Sequence, residues 1–153
     1  MKILSFLSFT TLLLISCGSN KADEPIVEED SLTAINYAWQ ASLNDSTGKL
    51  EMKKAEAAGL DSISTASIID YINRSDSSIH LDIVKTSNDT VYLKIPDATY
   101  LTQRMGSTGS EMYLASVVYN LTELPGIHYI NLDFEEGDHA SPGIFSRDSF
   151  KDE

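Results

Sequence analysis

The chain has 153 residues, with 23 acidic against 11 basic side chains and a formal net charge of −12. This balance argues against nucleic acid as a partner, because phosphate contacts need Lys and Arg, and against electrostatic attraction to anionic lipid headgroups. A single cysteine excludes an intrachain disulfide, and the length suits one ordinary domain with its own core.

The first sixteen residues have the pattern of a secretory signal peptide. Lys2 supplies the positive start, residues 3–15 are mostly apolar, and Ser16 is the small residue before a cleavage site. A run of this length makes a helix of about 20 Å, shorter than the roughly 30 Å hydrocarbon core of a membrane. We therefore expect residues 1–16 to be a signal peptide.

The end of this run, Leu14-Ile15-Ser16-Cys17, resembles the lipobox of bacterial lipoproteins. The resemblance implies cleavage before Cys17 and acylation of that residue by chains such as palmitate. The expected location is the bacterial cell envelope, with the outer membrane as the anchoring membrane and either its periplasmic or its outer face presented. The alternative is an ordinary cleaved signal in which Cys17 has no role.

Residues 17–33 are polar and acidic and cannot bury enough apolar surface to fold. They are predicted to form a tether that carries the lipidated cysteine. A folded domain is then predicted over residues 34–137, followed by a polar loop or tail over residues 138–153.

The first half of the domain begins with a hairpin. Apolar residues alternate with polar ones from Ile35 to Leu43, and a shorter alternation around Leu50 and Met52 follows an Asn-Asp-Ser-Thr-Gly turn. A short helix is predicted next, capped by Ser62 or Ser64. Its apolar face consists of Ile68, Ile69 and Ile72.

The second half has a clearer hairpin, a second helix and a last strand. The hairpin arms are Ile79, Leu81, Ile83 and Val91, Leu93, Ile95, joined through Ser87-Asn88-Asp89. Thr108 and Glu111 have the spacing of a capping box for a helix with the apolar face Leu114, Val117, Val118, Leu121 and Leu124. Ile130, Leu132 and Phe134 predict the last strand, and everything from Glu135 onwards is predicted to be loop.

The order β-β-α-β-β-α-β predicts an α+β fold. We expect a two-layer sandwich, in which two helices cover one face of a mostly antiparallel sheet. If the weak second arm were not a strand, the remaining order βαββαβ would also suit a ferredoxin-like arrangement.

The stretch from the second hairpin to the last strand resembles the GerMN module of sporulation and germination proteins. The resemblance is carried by Asp89-Thr90-Val91-Tyr92-Leu93 and by residues 114–127, LASVVYNLTELPGI, and covers roughly residues 60–137. The chain departs from the family pattern at Asn120, where threonine is usual, and after Gly137. The resemblance implies a small non-enzymatic envelope module with no catalytic residues to transfer and no cofactor.

Two polar segments are candidate binding sites. In the first, carboxylates and an imidazole at Glu135, Glu136, Asp138 and His139 follow the last strand. Glu135, Asp138 and His139 are weak candidates for metal ligands, although their spacing matches neither an EF-hand nor a zinc motif. A solvated acidic loop or a partner-binding loop explains the same residues.

The second candidate segment lies before the second helix. Arg104, Ser107 and Thr108 could bind a small anion with the free amides at the helix start. A helix cap with a flexible lead-in is the competing interpretation.

These patterns predict a lipid-anchored envelope protein with a non-enzymatic binding or scaffolding domain, whose partner is another envelope protein or cell-wall material. We expect the loop over residues 135–150 to make that contact. The alternatives are a metal-binding protein or metal-dependent enzyme that uses the segment 133–139, and a purely structural spacer.

Overall fold

The computed structural model describes residues 39–55 and 63–151. The predicted signal peptide, Cys17 with its predicted acylation, the predicted tether and the predicted beginning of the first strand lie outside the described residues, as does Ser62. No helix in the described ranges is both long and apolar enough to cross a membrane.

The α+β fold class is confirmed. The strands are β1 (Trp39–Leu43), β2 (Leu50–Lys54), β3 (Asp82–Ser87), β4 (Thr90–Lys94), β5 (Tyr129–Asp133) and β6 (Gly143–Phe145). The helices are α1 (Thr65–Ser75) and α2 (Gly106–Leu121), with a π-helical turn at Tyr100–Arg104 and a 3-10 turn at Arg147–Phe150.

The strands form two sheets rather than the single sheet that we expected. β1 and β2 make an antiparallel pair of their own, in which Trp39 lies opposite Lys54 and Leu43 opposite Leu50. The other strands form a sheet in the order β3-β4-β5-β6, antiparallel except for the parallel pair β4 and β5. The weak second arm of the first hairpin is thus a real strand. The ferredoxin-like alternative is wrong because, among the described strands, β1 pairs with β2 and not with the four-stranded sheet.

One face of the four-stranded sheet packs against the two helices. The core residues that meet there are less than 8% exposed: Ile68, Ile69, Val91, Leu93, Leu114, Val117, Val118, Leu121, Ile130 and Leu132. The opposite face bears Tyr92, Asn131 and Ile144 on three adjacent strands, and Ile144 is 64% exposed. The helical faces predicted from sequence are therefore the faces that are buried.

Strand β3 begins three residues later than predicted. Ile79 and Leu81 are buried but precede the strand, since the side-chain amide of Asn73 donates to Leu81 O (3.0 Å) and accepts from Leu81 N (2.8 Å). These two bonds occupy the backbone groups that a longer ladder would have used. The turn is as predicted, with Asn88 at φ 53°.

The predicted capping box of the second helix is wrong, whereas Ser64 does cap α1, together with Ser67. α2 begins at Gly106, two residues before Thr108, and no side chain caps it. Gly106 has φ +75°, a conformation that glycine adopts without strain, and it separates α2 from the preceding π-helical turn. Thr108 and Glu111 consequently lie inside the helix, with exposed side chains.

The expectation that everything after Glu135 is loop is also wrong. β6 pairs with β5, with Phe145 opposite Ile130, and the rings of Phe145 and Phe150 stack 6.0 Å apart and pack against the core. A strand of three residues is too short to show a period of two, so the sequence pattern does not reveal it.

Candidate functional site

The structure brings the two predicted polar segments together at the start of α2. Ser107 Oγ and His139 Nδ1 lie 3.1 Å apart. His139 N donates to Thr102 O (3.0 Å), and a Cβ on Gly137 would lie only 2.7 Å from the Thr102 Cβ. The close approach of Gly137 to the π-helical turn therefore places the His139 ring beside Ser107.

This pair of side chains has little of what nucleophilic catalysis needs. A serine and its base are normally accompanied by a third group that orients the imidazole. Within the described part of the chain, the His139 ring has Ser107 as its hydrogen-bond partner, and Ser107 itself is exposed. The geometry is that of a surface hydrogen bond which holds the loop against α2.

The acidic residues of the segment 133–139 do not come together into one group. Glu135, Glu136 and Asp138 are exposed, and Glu136 Oε1 accepts from Ser141 Oγ at 2.7 Å. In residues 39–55 and 63–151, no three His, Cys, Asp or Glu side chains are grouped so that they could hold a metal ion. The weak metal candidates Glu135, Asp138 and His139 are therefore not gathered into one site.

Arg104 and Thr108, the other members of the predicted anion site, are both exposed. Arg104 acts electrostatically on Asp97. The backbone N–H and the hydroxyl of Thr99 lower the pKa of Asp97, and the guanidinium of Arg104 lowers it further. Because a carboxylate already shares the field of Arg104, anion binding there stays a prediction without added support.

A more elaborate polar cluster joins the first hairpin, the end of α2 and the C-terminal turn. The Glu123 carboxylate accepts from Trp39 Nε1 (2.8 Å), from Lys54 Nζ and from Arg147 Nη2 (2.6 Å). Its side chain is 22% exposed. The backbone of Trp39 is held as well, because Asn120 Oδ1 accepts from Trp39 N (3.1 Å) and Asn120 Nδ2 donates to Trp39 O (2.9 Å).

Arg147 fills the centre of this cluster. Its guanidinium carbon lies 5.0 Å from the centre of the Trp39 ring and 5.1 Å from that of Tyr119. Nε donates to Thr122 Oγ1 (2.8 Å), and Nη2 donates to Tyr119 O (3.0 Å) as well as to Glu123. Carbonyls in the last turn of a helix lack partners within the helix, so Arg147 also serves as a cap for α2.

The cluster predicts a specific dependence of stability on pH. Burial raises the pKa of Glu123, but the hydrogen bonds from Lys54, Trp39 and Arg147 together outweigh it and lower the pKa from 4.5 to about 2. Since the pKa is lower in the folded chain, the stabilisation is complete above pH 4.5 and is lost as the pH falls towards 2. With a discount for partial exposure, the loss should be about 2 kcal/mol.

Urea unfolding of the wild type and of Glu123→Gln between neutral pH and pH 3 measures this effect. The variant should be less stable at neutral pH and should lose this component of the acid dependence. Glu111→Gln, an exposed carboxyl on α2, should leave the profile as it is. Parallel profiles for the wild type and Glu123→Gln would contradict the assignment.

Beside this cluster lies a groove of about 340 Å³ between β1, α1 and α2. The volume falls in the range of sites for small molecules. Three aromatic residues contribute to its walls, namely Trp39, Tyr71 and Tyr113. The other described lining residues are Gln40, Ala41, Ile72, Ser75, Asp76, Ser116, Val117 and Asn120.

Tyr113, which contributes to the groove wall, has an unusual hydroxyl. It is buried and has no hydrogen-bond partner among the described residues. Burial, and then the negative charge of Asp76, raise the pKa of Tyr113 above its usual value, so the hydroxyl keeps its proton. Buried polar groups in proteins are nearly always paired, so this hydroxyl is an exception, and its burial keeps it out of reach of a ligand in the groove.

The patterns of the sequence do not predict this groove. One signal was available: Tyr113, Ser116, Val117 and Asn120 follow the i, i+3, i+4, i+7 spacing of one helix face, and that face mixes polar with apolar residues. The partner residues Tyr71 and Asp76 come from α1 and its C-cap, and their proximity follows from the tertiary fold.

Comparison with family models gives a match over residues 71–138 to the family described as "Germane: Sporulation and spore germination". Comparisons with curated proteins and with solved structures gave no match. The matched span starts within α1 and ends after β5, so the first hairpin and Arg147 lie outside it. The resemblance to a GerMN-like domain is thus confirmed for less than half of the chain: over residues 71–138 the chain is similar to the Germane domain.

Proposed function

We propose that this chain is a lipid-anchored cell-envelope protein whose folded unit is a non-enzymatic binding domain, with the aromatic groove as its ligand site. The observation that carries the binding role is the groove of about 340 Å³, whose walls combine three aromatic rings with a few polar side chains. The description of the matched family names cell processes, sporulation and germination, rather than a reaction.

The proposed contact differs from the one expected from sequence. The second half of the loop over residues 135–150 is built into the domain by β6 and by Arg147, so it is less available to a partner. The groove instead combines aromatic walls with a few polar groups, which is the usual composition of a ligand site. The metal-dependent alternative has no comparable observation in its favour, since its candidate ligands are dispersed.

The anchoring part of the proposal rests on the sequence Leu14-Ile15-Ser16-Cys17. Two or more acyl chains on Cys17 would hold an acidic domain at a membrane that its own charge does not favour. The outer membrane is the proposed site of attachment. No nucleic-acid partner is proposed.

Metabolic labelling with an alkyne fatty acid tests the anchor. The wild type should incorporate the label and sediment with membranes, while Cys17→Ala should lose the label. Ser19→Ala, two residues further on, is the matched control and should be labelled like the wild type. Full labelling of Cys17→Ala, or none of the wild type in a host that lipidates other proteins, would contradict the proposal.

A further inference from the structure

We infer that the groove takes an extended peptide, which adds as a further strand to the free edge of β1 and places an apolar side chain between α1 and α2. The peptide that fits has a basic residue beside the apolar one. The inference rests on the proposed binding role of the groove and adds the chemical class of its ligand.

The backbone of β1 points alternately towards β2 and away from it. Asn44 N donates to Lys49 O (2.9 Å), so these two residues form the bonded pair that closes the turn. Bonded and non-bonded pairs alternate along an antiparallel ladder. Ala41 lies three residues before Asn44, so its pair with Met52 is a non-bonded one. The N–H and C=O of Ala41 therefore point away from β2.

Trp39 shows what these outward groups bind. It lies two residues before Ala41, and both its N–H and its C=O are bonded to the side-chain amide of Asn120 on α2. The amide thus occupies the place of a neighbouring strand at this one position. Ala41 is the next position with the same direction, and it lines the groove. Its N–H and C=O are free to pair with the backbone of a peptide in the groove.

The other outer strands of the described sheets are less suited to strand addition. β3 has a shift of register between Ile83 and Lys85, and both a bulge and a lysine discourage pairing at an edge. β6 has three residues, and β2 ends with the exposed Lys53 and Lys54. The sequence of β1, WQASL, contains no charged residue. The edge of β1 is therefore the one that favours a further strand.

The walls of the groove suit an apolar side chain of that strand. Tyr71, Ile72 and Val117 supply aromatic and branched apolar surface from α1 and α2. Alternate side chains of an extended peptide point to the same side, so one can enter the groove while its neighbours stay outside. Backbone pairing then provides affinity, and the groove selects the side chain.

The charge of the groove selects a basic peptide. Asp76 is the only charged residue among the described lining residues, and the chain as a whole has a net charge of −12. Both attract lysine or arginine and repel an acidic peptide.

Trp39 provides the measurement, because it is the single tryptophan of the chain and lines the groove. The full-length protein, purified in a mild detergent, is titrated with a short peptide of alternating lysine and valine while tryptophan emission is followed. We expect a saturable change, and binding about fivefold weaker when glutamate replaces lysine in the peptide. Asp76→Asn should narrow this difference, whereas Asp70→Asn, an exposed carboxyl on α1, should leave it unchanged.

Methylation of the peptide backbone tests strand addition itself. Amides of alternate residues in a strand point to the same edge. One form of the peptide is therefore N-methylated on its valines and another on its lysines. The form that is blocked on the edge facing β1 should bind at least about tenfold more weakly, and the other should bind like the parent peptide. Equal affinities of the two forms would contradict strand addition.

Amide hydrogen exchange shows whether the edge is free before the peptide binds. The Ala41 amide should exchange rapidly in the protein alone and slowly with the peptide. The Gln40 amide points towards β2 by the same alternation, so the peptide should leave its exchange rate unchanged. A slowly exchanging Ala41 amide in the monomeric protein alone would mean that the chain itself covers the edge, and the inference would fail.

Further outcomes separate the peptide from the groove as a binding site. A dimer that the peptide dissociates, seen by analytical ultracentrifugation, would make a second copy the occupant and would overturn the inference. No response to the lysine peptide would do the same. If a low-molecular-weight extract of the envelope still changed the emission of Trp39, the groove would remain a ligand site. Absence of a response to both would remove the binding role of the groove as well.

Discussion

Replacement of Arg147 by alanine is expected to lower the free energy of unfolding by about 2–3 kcal/mol. The change removes a charge-assisted hydrogen bond to Glu123, the bond to Tyr119 O and the contact with the Trp39 ring. Breaking a fully buried ion pair costs 3–5 kcal/mol, and the partial exposure of Arg147, 32%, places this value lower. Urea unfolding, followed by tryptophan emission and by circular dichroism, measures the difference.

Lys151→Ala is the matched control, since it also removes a cation from a carboxylate. Lys151 Nζ and Asp148 Oδ1 are 2.6 Å apart, but both side chains are mostly exposed, so the loss should stay within about 0.5 kcal/mol. Arg147→Lys should fall between the two, because an ammonium cannot reproduce the forked contacts of a guanidinium. Equal stabilities for Arg147→Ala and Lys151→Ala would show that the cluster contributes no more than an ordinary surface pair.

Truncation after Pro142 is expected to cost more than any single substitution considered above, at least about 4 kcal/mol. It removes β6, which pairs with β5, together with Phe145, Phe150 and Arg147. Loss of large apolar side chains from a core costs 3–5 kcal/mol each when they are fully buried. Since domains of this size are stable by only about 5–15 kcal/mol, the shortened chain should be close to unfolding.

Truncation after Phe150 is the control and should unfold within about 0.5 kcal/mol of the full chain, because it keeps β6 and the Arg147 cluster. Circular dichroism and amide hydrogen exchange of both forms provide the comparison. A chain ending at Pro142 with wild-type stability would mean that the C-terminal segment is the loop predicted from sequence. The C-terminal segment would then be available for contact with a partner.

The groove is lined both by residues in the span that matches the Germane domain and by residues outside that span. Tyr113 and Asn120 belong to residues 71–138, whereas Trp39, Gln40 and Ala41 do not. Asn120, inside the matched span, binds the backbone of Trp39 with both ends of its amide. These two bonds hold β1 against α2 and so help to form the groove.

The local patterns of the sequence were sufficient for most of the fold. Alternation predicted β1, β4 and β5, helical spacing predicted the buried faces of α1 and α2, and Asn88-Asp89 predicted the turn between β3 and β4. These features depend on the side-chain period of one element and on local turn chemistry, so neighbouring residues contain the needed information. The similarity to the Germane domain was visible for the same reason, in the residues of α2 and the strands beside it.

Of the candidate site, the sequence by itself determined only the residue types. The lipobox-like segment, the acidic charge and the single Trp39 are properties of the chain as written. The meeting of Ser107 with His139, the three partners of Glu123 and the unpaired hydroxyl of Tyr113 were decided by the tertiary structure. The first two join residues from separate elements, up to 84 positions apart for Trp39 and Glu123. These contacts, like the burial of Tyr113, depend on how whole elements pack.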